Sequence, residues 1–277
     1  MKLKTFIRWM GNKSKHLRHI IPYIPDEYNT YYEPFVGSGA LFLILQPKKW
    51  IINDLNKDLI NIWKNVKDNP DTIINSFKNF GKKFKPLSKK EKLEFCRDIT
   101  NTIEELNYDV YRASIIMLMI FCSYNGNIIV KNNLYFQGIN LSIINYNSYY
   151  FLDNIYYNNL LNVSSYLNSS KGLILNKDYK DILDKTKKDD FVFLDPPYIE
   201  EHDYQFNYNK EESLDNKFIL ELYKEVKKLD KKGVKWLMTQ ADTKEIKDIF
   251  KEYKIKKFEV YRANSKTYKN ELIIMNY

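Results

Sequence analysis

Short apolar runs of strand-like composition recur along this chain, and segments with helical periodicity separate most of them. The strand-like runs are Tyr31–Val36, Trp50–Asn53, Leu173–Leu175, Phe191–Leu194, Lys235–Met238, Lys256–Tyr261 and Glu271–Tyr277. Alternation of this kind favours an α/β fold with a mainly parallel, seven-stranded sheet covered by helices. Ligands bind beyond the carboxyl ends of the strands in such sheets, so we expect a functional site there.

The middle of the chain differs in its predicted secondary structure, because strand-like patterns are sparse between Leu55 and about Leu167. Helical patterns cover Leu55–Lys67, Asp71–Phe80, Ser88–Leu106, Val110–Tyr124 and Asn154–Leu167. We therefore predict an inserted helical domain at residues 61–164, with the α/β body formed by residues 1–60 and 165–277. The polar segment Gly126–Tyr150 has little periodicity and is expected to be a surface loop of the insert.

Charge and cysteine content limit the possible classes of protein. The 277 residues include 44 Lys and Arg against 35 Asp and Glu, a net charge of +9. This balance favours polyanionic partners, although an ordinary solvated surface explains it equally well. Two cysteines, Cys96 and Cys122, and three scattered histidines provide neither a disulfide framework nor a metal-ligand pattern. No signal peptide or membrane span is recognisable, so we expect a cytoplasmic protein without a metal.

The motif with the most specific chemistry is Asp195-Pro196-Pro197-Tyr198, directly after the apolar run Phe191–Leu194. A buried parallel strand would end here in a stiff turn, because proline restricts φ and has no N–H donor. The turn would direct the Asp195 carboxylate and the Tyr198 ring toward the expected ligand crevice. The alternative is a plain strand-to-loop turn, in which the prolines stop the strand and Tyr198 covers the core.

These residues suit methyl transfer to an exocyclic amine of a base. Such a nitrogen is a poor nucleophile because its lone pair is delocalised into the ring. The Asp195 carboxylate and a proline carbonyl can accept hydrogen bonds from the amino protons and stabilise the positive charge that develops on the nitrogen. Tyr198 can stack on a base that has left the duplex. The candidate catalytic residues are Asp195, Pro196, Pro197 and Tyr198.

A strand, a glycine turn and the start of a helix follow one another in Tyr32 to Ala40, with Glu33, Phe35, Gly37 and Gly39 in order. Glycines let a ligand approach the backbone closely, but Phe42 stands where a dinucleotide fingerprint needs its third glycine. Glu33 is unfavourable for a pyrophosphate and favourable for the ammonium of a methionine moiety. The turn therefore fits S-adenosylmethionine better than NAD.

Two further acids follow predicted strands. Asp54 comes after the second strand, where a ribose hydroxyl is usually bound, and Asp178 comes after the third. Each is also well placed to cap the helix that follows, so both interpretations stay open. Near the N-terminus, Trp9 and Lys13 precede a predicted amphipathic helix. Taken alone, Trp9 is typical of a core residue and Lys13 of a solvated lysine.

Together these motifs resemble the Dam and DpnM type, class alpha, of adenine-N6 DNA methyltransferase. Trp9-Met10-Gly11-Asn12-Lys13 is similar to the family's Trp-x-Gly-Gly-Lys opening, and Glu33 to Gly39 matches its Glu-Pro-Phe-x-Gly-x-Gly word. Asn53-Asp54, Asp195 to Tyr198 and the ending Asn264 to Ile274 also resemble family motifs, in the family's order.

The resemblance implies a Rossmann-like fold, S-adenosyl-L-methionine as methyl donor and N6 of a flipped-out adenine in duplex DNA as acceptor. It assigns to the cofactor site the residues Trp9, Lys13, Glu33, Phe35, Gly37, Asp54 and Asp195, to which we add Asp178. The insert would be the target-recognition domain, with Tyr124-Asn125-Gly126 similar to the family's Asn-Gly word.

The recognition loop departs from the pattern of family members that read GATC. Those proteins commonly carry an Arg three residues after the glycine to contact guanine, and Ile129 stands here instead. The target is therefore GATC or a variant site. Candidate nucleic-acid contacts, each of which is also typical of an ordinary loop residue, are Asn125, Asn127, Lys131, Asn132, Gln137, Ser265 and Lys266.

Two alternatives remain at this stage. The altered loop is compatible with an RNA or single-stranded DNA adenine methyltransferase, and a catalytically silent nucleic-acid-binding partner subunit would keep the fold without turnover. For the leading hypothesis we expect a monomer or weak dimer of bacterial, phage or viral origin, associated with nucleoid or viral DNA. A restriction enzyme is a possible partner.

Overall fold

The structure is a computed structural model that describes residues 2–123, 128–129, 135–136, 150–198, 216–262 and 267–277. Several residues singled out in the sequence lie outside these ranges. They are Tyr124, Asn125, Gly126, Asn127, Lys131, Asn132, Gln137, Ser265 and Lys266.

The chain divides into two compact units. The helical unit comprises Met1–Asn12, Gly37–Gln46 and Asn56–Ile174. The sheet unit comprises Lys13–Val36, Pro47–Leu55 and Leu175–Tyr277. The predicted inserted domain at residues 61–164 is defined by function and not by compactness, and it stays a prediction. Within the described parts of the chain, no helix is both long and apolar enough to span a membrane.

Seven strands form one sheet. They are β1 Tyr31–Glu33, β2 Lys49–Asn53, β5 Lys171–Leu175, β6 Phe191–Leu194, β7 Lys235–Ala241, β8 Lys254–Arg262 and β9 Thr267–Met275, in the spatial order β5-β2-β1-β6-β7-β9-β8. Strand β1 pairs in parallel with β2 and β6, and β6 pairs in parallel with β7. Strand β9 is antiparallel to both β7 and β8. The predicted Rossmann-like, mainly parallel seven-stranded sheet is confirmed.

Six of the seven strands differ in their bounds from the sequence-based prediction, and only β6 matches it; the differences in β1 and β9 have a physical reason. Strand β1 ends at Glu33 rather than Val36, because Pro34 has no N–H to continue the ladder. The Val36 N–H donates instead to the Asn53 carbonyl at 2.8 Å. Strand β9 begins at Thr267 rather than Glu271, since the polar stretch Thr267–Asn270 pairs with β8 without the apolar alternation that marks a half-buried strand.

The helices of the sheet unit are α1 Leu17–Ile20, α8 Tyr179–Leu183, α9 Asn216–Lys232 and α10 Lys244–Ile249. The core of this unit is formed by apolar side chains from β6, β7, β9 and the last three helices, including Val192, Leu194, Trp236, Met238, Leu272, Ile274, Ile182, Leu222, Val226 and Ile246. Strand β6 is buried over its whole length. Burial of this kind leaves the strand little freedom to shift, so the residue after it has a defined position.

The helical unit contains α2 Ala40–Leu45, α3 Lys57–Asp68, α4 Pro70–Phe84, α5 Lys89–Thr102, α6 Val110–Cys122 and α7 Asn154–Ser169. Two short strands, β3 (Ile128–Ile129) and β4 (Tyr135–Phe136), pair antiparallel. Asn56 caps α3 by accepting the Leu59 N–H at 2.9 Å, and Ser88 forms a capping box with Glu91 at the start of α5. The predicted single helix Ser88–Leu106 is in fact α5 followed by a 3-10 turn, Ile103–Glu105.

A buried ion pair connects α3 and α6 within the helical unit. The Arg112 guanidinium contacts both carboxylate oxygens of Asp58, at 2.6 and 3.1 Å, and also donates to the Ile103 carbonyl. Burial alone would lower the pKa of Arg112, but the hydrogen bond and charge of Asp58 outweigh it and the pKa is raised. Arg112 therefore stays charged, and removal of either partner would leave a buried group without its counterpart.

We predict that Arg112→Met lowers the free energy of unfolding by about 3–5 kcal/mol, because the Asp58 carboxylate is left buried and unpaired. The double variant Asp58→Leu/Arg112→Met should recover much of that loss. Urea denaturation measures both. Lys90→Met breaks an exposed pair with Glu94 and is the matched control, with an expected change within about 0.5 kcal/mol. An Arg112→Met effect no larger than the control would contradict the prediction.

Candidate active site

Asp195 follows the buried strand β6 at its carboxyl end and is held by two groups from distant parts of the chain. The Lys13 ammonium lies 2.7 Å from its Oδ1 atom, and the Thr239 hydroxyl of β7 donates to the same oxygen at 2.5 Å. The Asp195 side chain is only 15% exposed and that of Lys13 only 7%. Charge-assisted contacts in such a poorly solvated place are strong, so the carboxylate has a defined orientation.

The other Asp195 oxygen, Oδ2, differs from Oδ1 in its contacts. Among the residues that the structure describes, none makes a hydrogen bond or ion pair with it. Since Lys13 and Thr239 both contact Oδ1, the carboxylate is fixed through one oxygen and retains acceptor capacity on the second. The Oδ2 atom can therefore accept a hydrogen bond from an N–H group of a substrate while Oδ1 keeps its contacts with Lys13 and Thr239.

Tyr198 lies next to this carboxylate and is fixed by a second acid. Its hydroxyl donates to Glu271 Oε2 at 3.0 Å, and the Lys13 Nζ lies 4.6 Å from its ring centroid. Burial, followed by the charges of Asp195 and Glu271, raises the pKa of Tyr198 well above its usual value. The phenol is therefore neutral at physiological pH and donates its proton to Glu271.

The structure thus brings together Lys13, Asp195 and Tyr198, three of the residues singled out in the sequence. Pro196 is buried and Pro197 exposed, and the Pro197 carbonyl accepts a long hydrogen bond from Gln240 Nε2 at 3.4 Å. A proline carbonyl is the predicted acceptor of a hydrogen bond from the substrate amine. The Pro197 carbonyl already has a donor in Gln240, and the family resemblance assigns the substrate contact to Pro196.

Three acids follow or end neighbouring parallel strands. Glu33 ends β1, Asp54 follows β2 and Asp195 follows β6, and β1 lies between the other two strands in the sheet. Glu33 is 2% exposed and accepts the Tyr31 hydroxyl at 2.7 Å. Adjacent strands are about 5 Å apart, so the three acids line one edge of the sheet. An edge of this kind favours a ligand with a positive charge and hydroxyl donors.

Asn53 connects the strand ends at this edge. Its side-chain amide donates to the carbonyls of Pro34 and Lys177, both at 3.0 Å, and its oxygen accepts the Lys177 N–H at 2.9 Å. Asn176 donates to the backbone carbonyl of Asp54 at 2.9 Å. The backbone that carries Glu33 and Asp54 is therefore held in place by the amides of two asparagines.

The remaining cofactor candidates have identifiable local contacts. Asp178 caps α8 by accepting the Lys180 N–H at 2.8 Å, and Phe35 packs on Tyr179 with ring centroids 5.3 Å apart. In the helical unit, Gly37 has a φ of +48°, and a Cβ there would lie 3.2 Å from the Trp9 ring. The Gly37 carbonyl accepts Trp63 Nε1 at 3.0 Å. Only glycine fits this turn without strain.

Sequence reasoning missed Thr239, Gln240 and Glu271, which contact the catalytic motif. All three are at most 2% exposed and lie beside the apolar residues of β7 and β9. A buried polar side chain needs a partner, so their presence in β7 and β9 was a usable signal. Their partners could not be named, because Thr239 and Glu271 lie 44 and 73 residues from the groups they contact.

We predict strong energetic coupling between Tyr198 and Glu271. A double-mutant cycle of Tyr198→Phe and Glu271→Gln, measured by urea unfolding, should give a coupling energy of about 1.5–3 kcal/mol, as expected for a buried hydrogen bond to a charged group. Tyr223→Phe with Glu252→Gln is the matched exposed pair and should couple by less than about 1 kcal/mol. Equal coupling in the two cycles would argue against the buried contact.

Comparison with known proteins agrees with this geometry. Residues 9–264 match the family model described as D12 class N6 adenine-specific DNA methyltransferase. The chain is 31% identical to a Type II methyltransferase, M1.LlaDCHI, of Lactococcus lactis subsp. cremoris, over 100% of this chain and 96% of that protein. It is 30% identical to the Type II methyltransferase M.MjaIII of Methanocaldococcus jannaschii, with both chains fully covered.

A third relative carries a different name. The DNA adenine methylase of Haemophilus influenzae is 26% identical, over 96% of this chain and 89% of that protein. The family match covers most of the chain, from the Trp9 motif through the catalytic motif. The chain therefore belongs to the D12 class N6 adenine-specific DNA methyltransferases, enzymes that use S-adenosylmethionine as methyl donor.

Proposed function

We propose that this protein methylates N6 of an adenine that has been flipped out of duplex DNA, with Asp195, Pro196 and Tyr198 addressing the base. The observation that carries the proposal is the Asp195 carboxylate, held through Oδ1 by Lys13 and Thr239 beside the Tyr198 ring. Flipping is required because the reacting nitrogen is paired inside a duplex.

The acids at the edge of the sheet fit S-adenosylmethionine, which supplies a methyl group on a positively charged sulfonium. Glu33 and Asp195 would favour its positive charges, and Asp54 would bind ribose hydroxyls. We include Lys13 in the proposed cofactor site, and its contact with Asp195 supports this. The family motifs assign Trp9, Phe35 and Gly37 to the same ligand, and Asp178 remains a candidate near its adenine although it also caps a helix. No metal is needed for this chemistry.

The proposed catalytic step uses hydrogen-bond acceptors already in position. One amino N–H of the target adenine would donate a hydrogen bond to Asp195 Oδ2 and the other would donate to the Pro196 carbonyl. These contacts would localise the nitrogen lone pair and stabilise the positive charge that grows on N6 as the N–C bond forms, while the bond between the methyl group and sulfur breaks and S-adenosylhomocysteine leaves as a neutral thioether. The product ammonium then loses one proton toward Asp195 or solvent. Tyr198 stacks on the base, and Glu271 acts on Tyr198 as a positioning residue.

The target sequence is proposed to be GATC or a variant of it. Ile129 belongs to β3 and stands where GATC readers carry a guanine-contacting Arg. An Arg–guanine pair contributes about 1–3 kcal/mol of discrimination, so its absence should relax or redirect specificity. Residues 61–164 are proposed as the target-recognition domain. Relatives named Type II methyltransferases support a restriction partner, and action on DNA implies a cytoplasmic or nucleoid location.

We predict N6-methyladenine in plasmid DNA from a methylation-deficient host that expresses this chain, detected by mass spectrometry and mapped by single-molecule sequencing. Asp195→Ala should lower kcat at least about 100-fold, because an acceptor for the developing charge is lost. Asp248→Ala changes an exposed acid of α10 and should leave the rate unchanged. If wild-type protein modifies structured RNA and leaves duplex DNA unmodified, the RNA alternative replaces the proposal.

We predict that Tyr198→Ala and Tyr198→Phe behave differently. Loss of the ring should weaken binding of the flipped base by about 1–3 kcal/mol, whereas phenylalanine keeps the stacking surface. The measurement is the fluorescence of 2-aminopurine at the target position, which increases when the base leaves the stack. Similar fluorescence and similar kinetics for both variants would contradict a stacking function for Tyr198.

A further inference from the structure

Strand β9 presents its two faces to different surroundings. Leu272 and Ile274 lie in the core with α9 and α10. Glu271 alternates with them and faces the other way, where it contacts the Tyr198 hydroxyl and, at 3.5 Å, His16 Nδ1. The face of the hairpin that carries Glu271 is therefore the one that adjoins the catalytic motif.

The N-terminal segment of residues 13–20 packs on this same face. The rings of His16 and His19 lie 6.1 and 5.0 Å from the ring of Phe258 in β8. Phe258 is the register partner of Glu271. Lys13, which contacts Asp195, begins this segment. The segment and the hairpin face thus form one continuous surface beside the catalytic site.

Exposed cations follow this surface. Lys256 precedes Phe258 by two residues and Lys269 precedes Glu271 by two, so each lies on the same face as its neighbour. Lys15 directly precedes His16 and Arg18 directly precedes His19 in the N-terminal segment, and Arg18 Nε donates to His19 Nε2 at 3.0 Å. All four cations are exposed. In β8, β9 and residues 13–20, the only carboxylate on this face is Glu271, which is 2% exposed.

We propose that Lys15, Arg18, Lys256 and Lys269, here called the basic strip, bind phosphates of duplex DNA beside the flipped adenine. Four exposed cations on one surface complement a polyanion, and this surface adjoins the catalytic motif through Lys13 and Glu271, which contact Asp195 and Tyr198, so the polyanion we infer is the nucleic-acid substrate. The inference rests on the proposed function for the identity of that polyanion. Contacts of this kind position the duplex and carry no sequence information.

The test compares two quadruple variants with the same change of charge. K15Q/R18Q/K256Q/K269Q neutralises the basic strip. K224Q/K231Q/K244Q/K251Q neutralises four exposed lysines on or next to α9 and α10, whose apolar residues share the core with Leu272 and Ile274. Fluorescence anisotropy with a labelled mixed-sequence duplex gives the Kd at several salt concentrations. S-adenosylmethionine binding and the thermal unfolding midpoint verify that both variants are folded.

Each phosphate contact contributes about 0.9 to the slope of log K against log salt concentration. The basic-strip variant should lower the magnitude of that slope by about 2–4 and weaken the Kd at least about tenfold at low salt. The control should change the slope by less than about 1. If both variants change it equally, or neither does, the strip is not a DNA contact. Should the quadruple variant not fold, K15Q/R18Q and K256Q/K269Q are compared with K224Q/K231Q.

Measurements of DNA binding and of methylation together distinguish failure of this inference from failure of the proposed function. If wild-type protein binds the duplex through the basic strip but methylates no adenine, the proposed function fails and the strip stands. If wild-type protein methylates DNA and the strip variant keeps the wild-type salt slope, the strip fails alone. Absence of any duplex binding by the wild-type protein would overturn the basic strip directly.

Discussion

The position of one carboxylate governs the candidate site. Asp195 follows a strand that is buried throughout and paired on both sides, by β1 and β7, so its backbone has no room to move. Lys13 and Thr239 then hold Oδ1 from two other parts of the chain. A preorganised acceptor loses little reorganisation energy when charge develops on a substrate, which is the main source of rate acceleration in sites of this type.

A second acid extends this arrangement. Glu271 fixes the Tyr198 hydroxyl and lies near His16, so it relates the catalytic motif to the N-terminal segment that carries Lys13. Glu271 holds the Tyr198 hydroxyl and Thr239 holds the Asp195 carboxylate, while Lys13 contacts both residues.

Much of the fold could be read from local patterns. All seven strands of the large sheet were recognisable, and the buried parallel strands were the clearest, because such strands are short apolar runs bounded by turn residues. The features that local patterns did not predict also have physical reasons. Strand β9 begins with Thr267–Asn270, whose exposed polar side chains carry no strand periodicity and whose pairing depends on β8. From the sequence Asp178 could be a helix cap or a ligand contact; the structure shows the capping hydrogen bond with the Lys180 N–H, and the ligand contact stays a prediction.

The sequence by itself determined the α/β class, the acids at the strand ends and the order of motifs that identifies the family, since each depends on residues adjacent in the chain. Only the tertiary structure decided which groups meet Asp195 and Tyr198. Thr239 and Glu271 contact them across 44 and 73 residues, and no local pattern encodes a hydrogen bond over such a separation. The strand pairing brings them together, because neighbouring strands in a sheet need not be neighbours in sequence.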